Sequence, residues 1–135
     1  MKPIKIIVTG ASGRMGQTII KKVLSNKSLK LIGVTEGSKN KFIGSDISEL
    51  IKSKKTGIII TDKIEPLFAK ADAVIDFTIP VASLNHAEMA AKYKIVHVIG
   101  TTGFNLNDEK KIRLAAKKAT IIKSGNMSMG INILQ

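Results

Sequence analysis

Short apolar runs alternate along the chain with longer segments in which apolar residues recur every three or four positions. The first run, Lys5 to Thr9, predicts a strand, and the segment from Arg14 to Asn26 predicts a helix. Met15, Ile19, Ile20, Val23 and Leu24 fall on one face of that helix, which is expected to pack on a sheet. Leu29 to Thr35 reads as a second strand, and residues 37–41 as a polar, mobile loop with no period of its own. Downstream, Asp46 to Ile51 and Ile64 to Lys70 predict short helices on either side of a strand from Gly57 to Thr61. Ala73 to Phe77 is a buried strand that runs into Asp76-Phe77-Thr78-Ile79-Pro80, with Pro80 well placed near the start of a helix from Val81 to Tyr93. Ile95 to Ile99 is a fifth strand, stopped by Gly100-Thr101-Thr102-Gly103. A last helix spans Asn107 to Lys118, with Asn107 as its N-cap and Asp108 and Glu109 near the positive end of its dipole. Thr120 to Lys123 makes a sixth strand. Strands alternating with helices in this way imply an α/β fold, a doubly wound, mostly parallel Rossmann-type sheet in a single domain.

Composition narrows the functional classes. At 135 residues and 44% hydrophobic, the chain has enough apolar material for one core and too little length to promise two. No run of 18 apolar residues occurs, so no membrane anchor is expected. The absence of cysteine removes disulfides and thiolate chemistry and suits a cytoplasmic setting. The net charge of +12 raises the question of nucleic acid, but only Arg14 and Arg113 among the 22 basic residues are arginine. The lysines are scattered and aromatic residues for base stacking are few, so no nucleic-acid partner is expected.

The chemistry gathers at the predicted strand ends. Gly10-Ala11-Ser12-Gly13-Arg14-Met15-Gly16 follows a strand and opens a helix, and Glu36 closes the next strand. Glycines there permit a tight turn, close approach of a pyrophosphate to backbone N–H groups, and packing of helix on strand. An acid at the second strand end accepts hydrogen bonds from the adenosine ribose and favours NAD, because it repels a 2′-phosphate. Lys39 and Lys41 lie just beyond Glu36 and offer a partner to that phosphate, which leaves NADP open. The ends at Asp76-Phe77-Thr78 and Gly100-Thr101-Thr102-Gly103 are expected on the same sheet edge, the natural place for the nicotinamide half. His86 and His97 carry no assignable chemistry, and without cysteine or a paired-histidine spacing no metal site is expected. His97 reads as structural, and Asp76 as a residue that caps a neighbouring turn.

With these motifs in hand, the chain resembles the N-terminal half of the 4-hydroxy-tetrahydrodipicolinate (dihydrodipicolinate) reductase family of lysine and diaminopimelate biosynthesis. The resemblance covers nearly the whole chain and rests on residues 8–16, on Gly44-Ser45-Asp46, on residues 76–80, on Asn85-His86, on residues 98–104 and on residues 126–132. It implies an oxidoreductase using NADH or NADPH, with a cyclic dicarboxylate as hydride acceptor. Carried over residue by residue, Gly10, Ala11, Ser12, Gly13, Arg14 and Met15 hold the pyrophosphate and Glu36 the ribose. Gly100, Thr101 and Thr102 then hold the nicotinamide, and Ser124, Gly125, Asn126 and Met127 the far side of the cofactor. The family can place an arginine after its ribose acid where this chain has Gly37, a departure that leans the cofactor toward NADH. The resemblance also implies that residues 1–130 form the dinucleotide-binding domain and residues 131–135 begin the connection to a second domain. That domain carries the family's substrate-binding His-His and Lys segment and builds its homotetramer. The segment is expected beyond Gln135, so no catalytic residue is expected within residues 1–135. A non-catalytic dinucleotide-binding or regulatory module is the alternative reading.

Overall fold

A computed structural model describes residues 2–123 of the chain. Five strands, β1 (Ile4–Thr9), β2 (Leu29–Thr35), β3 (Ala73–Asp76), β4 (Val96–Ile99) and β5 (Ile121–Lys123), form one sheet in the order β2-β1-β3-β4-β5. Every neighbouring pair is parallel. The helices are α1 (Arg14–Ser25), the single turns α2 (Ser48–Ile51) and α3 (Glu65–Phe68), then α4 (Pro80–Tyr93) and α5 (Leu106–Ala115). The expected connection to a second domain, residues 131–135 ending on Gln135, lies outside the described residues.

Strands buried on both faces must be apolar on both, and β1 illustrates this with Ile6, Ile7 and Val8 all fully buried. Ile6 and Val8 join Ala73, Ile75 and Val98 in a core closed by Ile19, Ile20 and Val23 of α1 and by Leu50 and Ile51 of α2. Ile7 and Val74 face the other way, toward Phe68 of α3 and Ala90 of α4. Each fully buried isoleucine or valine contributes about 1.5–3 kcal/mol relative to exposure, so the central strands supply most of the cohesion.

Three expectations are corrected. Residues 57–61 do not form a sheet strand. They make one parallel bridge, Thr61 to Thr35, on the outer side of β2, and one antiparallel bridge, Ile59 to Asp46. The backbone groups that a ladder along β2 would need are taken by residues 44–47, through Gly44 N–H to the Ile60 carbonyl, Ile60 N–H to Ser45 and Ile47 N–H to Ile58. The buried stripe of α1 is Gly16, Ile19, Ile20 and Val23, while Met15 and Leu24 are exposed. Positions 16, 19, 20 and 23 keep the three-to-four spacing, and Gly16 lets the helix approach the carbonyl oxygens of Gly10 and Ala11 more closely than a larger residue would allow. The N-cap of α5 is Asn105, not Asn107. Its side chain accepts from the Asp108 N–H at 2.8 Å and the Asp108 carboxylate accepts from the Asn105 N–H at 3.0 Å, a reciprocal capping box. Pro80, by contrast, opens α4 as expected.

Candidate cofactor-binding site

In a doubly wound sheet the strand order reverses beside β1, and ligands bind beyond the carboxyl ends of the strands at that point. Gly10 follows β1 there with φ +78°, a backbone conformation in which a side chain is strained. Space is equally restrictive, since a Cβ on Gly10 would lie 1.9 Å from the Phe77 carbonyl oxygen. A Cβ on Gly16 would lie 2.1 Å from the Gly10 carbonyl oxygen. Gly13 has open space, its nearest Cβ contact among the described residues being 3.6 Å. Helix α1 starts after Gly13 without a side-chain cap, so the first-turn N–H groups of Arg14, Met15 and Gly16 lack an intrahelical acceptor. An uncapped helix start of this kind suits an anionic group, and the arginine and methionine side chains are exposed beside it.

Glu36 follows β2, as expected, and is half-buried, but it is already engaged. Its Oε2 accepts from the Ser12 N–H at 2.7 Å and from the Ser12 hydroxyl at 2.6 Å, and its Oε1 accepts from the Gly37 N–H at 3.2 Å. Asn40 Nδ2 donates to the Ser12 hydroxyl oxygen at 3.1 Å, which ties the polar loop over the glycine turn. Asn40 thus bonds to the turn a segment that the sequence suggests is a mobile loop. A further donor has only the remaining lone pair of Oε1 to meet, and a pair of donors clasping both oxygens requires displacing Ser12. Beside Glu36 lies a cavity of 320 Å³ whose lining includes Gly10, Asp62, Thr78, Asn85 and His86. Among the described residues, no lysine or arginine lines it. Lys39 is exposed on the loop, and Lys41 places its ammonium 5.2 Å from the centre of the Phe42 ring.

The ends of β3 and β4 form the second half of the cleft. Gly100 donates its N–H to the Asp76 carbonyl at 2.8 Å. Thr101 is buried and its hydroxyl oxygen accepts from the Thr78 N–H at 3.0 Å and the Ser83 hydroxyl at 2.7 Å. One of the two expected hydroxyls therefore fixes the loop internally, and Thr102 is the one exposed. Residues 99–104 and Lys123 line a separate cavity of 230 Å³. The expected contacts at Ser124, Gly125, Asn126 and Met127 lie outside the described residues.

What sequence reasoning missed is the role of Asp76. It is fully buried and accepts four hydrogen bonds: Oδ1 from the Thr9 hydroxyl at 2.9 Å and the Thr78 hydroxyl at 2.7 Å, Oδ2 from His86 Nδ1 at 2.9 Å and His97 Nε2 at 2.8 Å. Burial alone would raise the Asp76 carboxyl, but hydrogen bonds from His86 and His97, with their electrostatic attraction, outweigh it and hold the group well below the usual carboxylate range. The residue binds strand ends and helix α4 together instead of capping a turn. The signal was sheet register. His97 pairs with Val74, so His97 and Asp76 share a face, the face that α4 covers. The histidine nitrogens that meet at Asp76 are spent on the carboxylate, so the convergence is a hydrogen-bonded cluster and not a vacant ligand set.

The fold and this edge define a dinucleotide-binding domain of the Rossmann class. A family model described as the N-terminus of dihydrodipicolinate reductase matches residues 4–127. The chain belongs to that family. The 4-hydroxy-tetrahydrodipicolinate reductase of Brucella abortus (strain 2308) is 51% identical over 129 residues, covering 96% of this chain and 48% of the relative. That of Parvibaculum lavamentivorans is 48% identical over 132 residues, covering 97% and 49%. The chain thus spans about half the length of the curated relatives it matches. A solved dihydrodipicolinate reductase from Paenisporosarcina sp. TG-14, with dipicolinate bound, superposes with TM-score 0.73 at 26% identity over 95% of this chain and 49% of that one. GenD2 from gentamicin A biosynthesis, in complex with NAD, shares the fold at TM-score 0.71 and 14% identity. Among the described residues no helix is long and apolar enough to cross a membrane.

Proposed function

We propose that this chain is the cofactor-binding half of a 4-hydroxy-tetrahydrodipicolinate reductase, holding NADH for reduction of that cyclic dicarboxylate to tetrahydrodipicolinate in lysine and diaminopimelate biosynthesis. The observation that carries the reading is the glycine turn, where a Cβ at Gly10 or Gly16 would strike backbone oxygen at 1.9 or 2.1 Å and the uncapped start of α1 is left open for phosphate. When bound, the reduced nicotinamide supplies the hydride. The chain's own part is to bind and orient: first-turn N–H groups meet the pyrophosphate, Glu36 the adenosine ribose, and the Gly100-Thr101-Thr102 loop, fixed through Ser83 and Thr78, the nicotinamide half. Preference for NADH over NADPH is supported by Gly37 after the ribose acid and by a cavity whose described lining carries Glu36 and Asp62 but no lysine or arginine. Hydride transfer requires donor and acceptor at near-attack distance, and substrate binding and protonation are assigned to the family's second half, together with its tetramer.

The test has two arms. In the first, NADH and NADPH are titrated against the purified chain and followed by nicotinamide fluorescence, with saturable binding expected and NADH the tighter. No binding at millimolar cofactor would refute the reading. In the second, reductase turnover is assayed with and without a separately supplied C-terminal half of a relative. Turnover is expected only with both, and turnover by the 135-residue chain alone would overturn the division of labour.

A further inference from the structure

Glu36 is held by more than its own strand. Its backbone N–H donates to the Thr61 carbonyl at 3.1 Å, and its Oε2 receives both the N–H and the hydroxyl of Ser12. Neighbouring groups fix the direction of the hydroxyl bond. Asn40 Oδ1 accepts from the Phe42 N–H at 2.9 Å, which turns Nδ2 toward Ser12, and an amide nitrogen only donates. The Ser12 oxygen therefore accepts from Asn40 and commits its single proton to Glu36. At 2.6 Å that bond falls in the range of charge-assisted O–H···O⁻ bonds. Gln17 of α1 donates to the Ser12 carbonyl at 3.0 Å and steadies the backbone of the same residue. Ser12 and Glu36 are both half-buried, so water competes for these bonds less than it would on an open surface.

We infer that Ser12 is a positioning residue for cofactor choice: its hydroxyl, oriented by Asn40, holds the Glu36 carboxylate in one direction, so that a free ribose 2′-hydroxyl is accepted and a 2′-phosphate is refused. An acid without such bonds swings away from a phosphate into solvent and discriminates weakly. Here, swinging away breaks two bonds to Ser12 and one to Gly37, so the phosphate meets a fixed negative charge. A hydroxyl is a donor, and Oε1 keeps a lone pair for it, whereas phosphate oxygens find no donor on a carboxylate. The inference rests on the proposed cofactor reading and deepens it. Ser12 also belongs to the turn assigned to the pyrophosphate, but NADH and NADPH share that group, so the ratio of their affinities isolates the ribose end.

The experiment titrates NADH and NADPH against the wild-type 135-residue chain, Ser12→Ala, Asn40→Ala and the double variant, and reads the ratio of the two dissociation constants. Ser12→Ala keeps the N–H but removes the hydroxyl, and is expected to reduce the preference for NADH roughly 3- to 10-fold, the loss of one hydrogen bond. Asn40→Ala lies outside the glycine turn and is expected to reduce it in the same direction by less. Asn40 reaches the acid only through the Ser12 hydroxyl, so the double variant should match Ser12→Ala alone. A purely structural role would weaken both cofactors alike and leave the ratio where it was. An unchanged ratio in Ser12→Ala or in Asn40→Ala, or additive losses in the double variant, overturns this inference alone. A wild-type chain that binds both cofactors equally overturns it together with the NADH preference, and one that binds neither overturns the cofactor reading itself.

Discussion

Three glycines share one turn, but the structure separates their roles. Gly10 meets both a strained dihedral angle and a backbone oxygen, and Gly16 meets backbone oxygen only, whereas Gly13 meets nothing among the described residues closer than ordinary contact. Gly10→Ala is therefore expected to cost about 2–4 kcal/mol of folding stability, and Gly16→Ala to be destabilising despite the better helix propensity of alanine. Gly13→Ala should leave the thermal midpoint nearly unchanged yet weaken NADH, because its methyl would stand in the path of the ligand. Thermal denaturation paired with cofactor titration on the three variants checks this, and a Gly13→Ala protein that binds as tightly as wild type would show that phosphate does not pass over that residue. The glycine turn was legible in the sequence because backbone demands select residue type directly. The Asp76 cluster was not, because Asp76, His86 and His97 sit on β3, α4 and β4 and meet only through sheet register and helix packing. Ser12 was named for phosphate, but its bond to Glu36 depends on two loops folding toward each other, which no local pattern records.

At the scale of elements, α5 offers the sharpest test of local structure. Asn105 and Asp108 cap it reciprocally, while Asn107 lies inside the first turn. Asn105→Ala is expected to lose about 1 kcal/mol, and Asn107→Ala to be neutral or slightly stabilising, since alanine is the better helix former. Urea denaturation of the two variants decides between the two caps. Both asparagines precede the acidic pair, so the sequence offered two registers for the same signal, and the structure takes the one whose N3 position is an acid. The parallel strands β1 to β4 and helices α1 and α4 were legible because their apolar runs and three-to-four spacing are set by burial on a sheet. Residues 57–61 had the same apolar composition, with Ile58, Ile59 and Ile60 in a row, and still failed as a strand. Their hydrogen bonds go to residues 44–47 and leave only Thr61 in register with β2. Apolar content predicts burial at Ile60 but fails at Ile59, which is exposed, and it does not say which neighbour takes the backbone.

For the whole molecule, two buried aspartates link stability to acid. Asp46 accepts from the Ser48, Thr56 and Gly57 N–H groups and the Thr56 hydroxyl, which joins α2 to the segment that bridges β2. The Ser48 N–H, more than the opposing effect of burial, holds its carboxyl well below the usual range. Asp76 joins β1, β3, β4 and α4 at the cleft edge. Both groups are more acidic folded than unfolded, so each contributes stability in full above the unfolded value of about 3.9, and loses it as pH falls through that value toward the lower folded one. Denaturant midpoints are thus expected to be level between about pH 7 and pH 5 and to drop steeply below about pH 4. Asp46→Asn should lower stability at neutral pH, since an amide accepts at one oxygen only and its NH₂ would face donors. It should also flatten the acid limb, because the proton that the native carboxylate resists no longer has a site there. A variant that keeps the wild-type acid slope would place the linkage elsewhere, with Asp76→Asn the next to measure. In that second variant, if the cleft is built as argued, the loss of acid sensitivity will coincide with loss of NADH affinity, whereas Asp46→Asn, on the far side of β2, will change stability and leave affinity close to wild type.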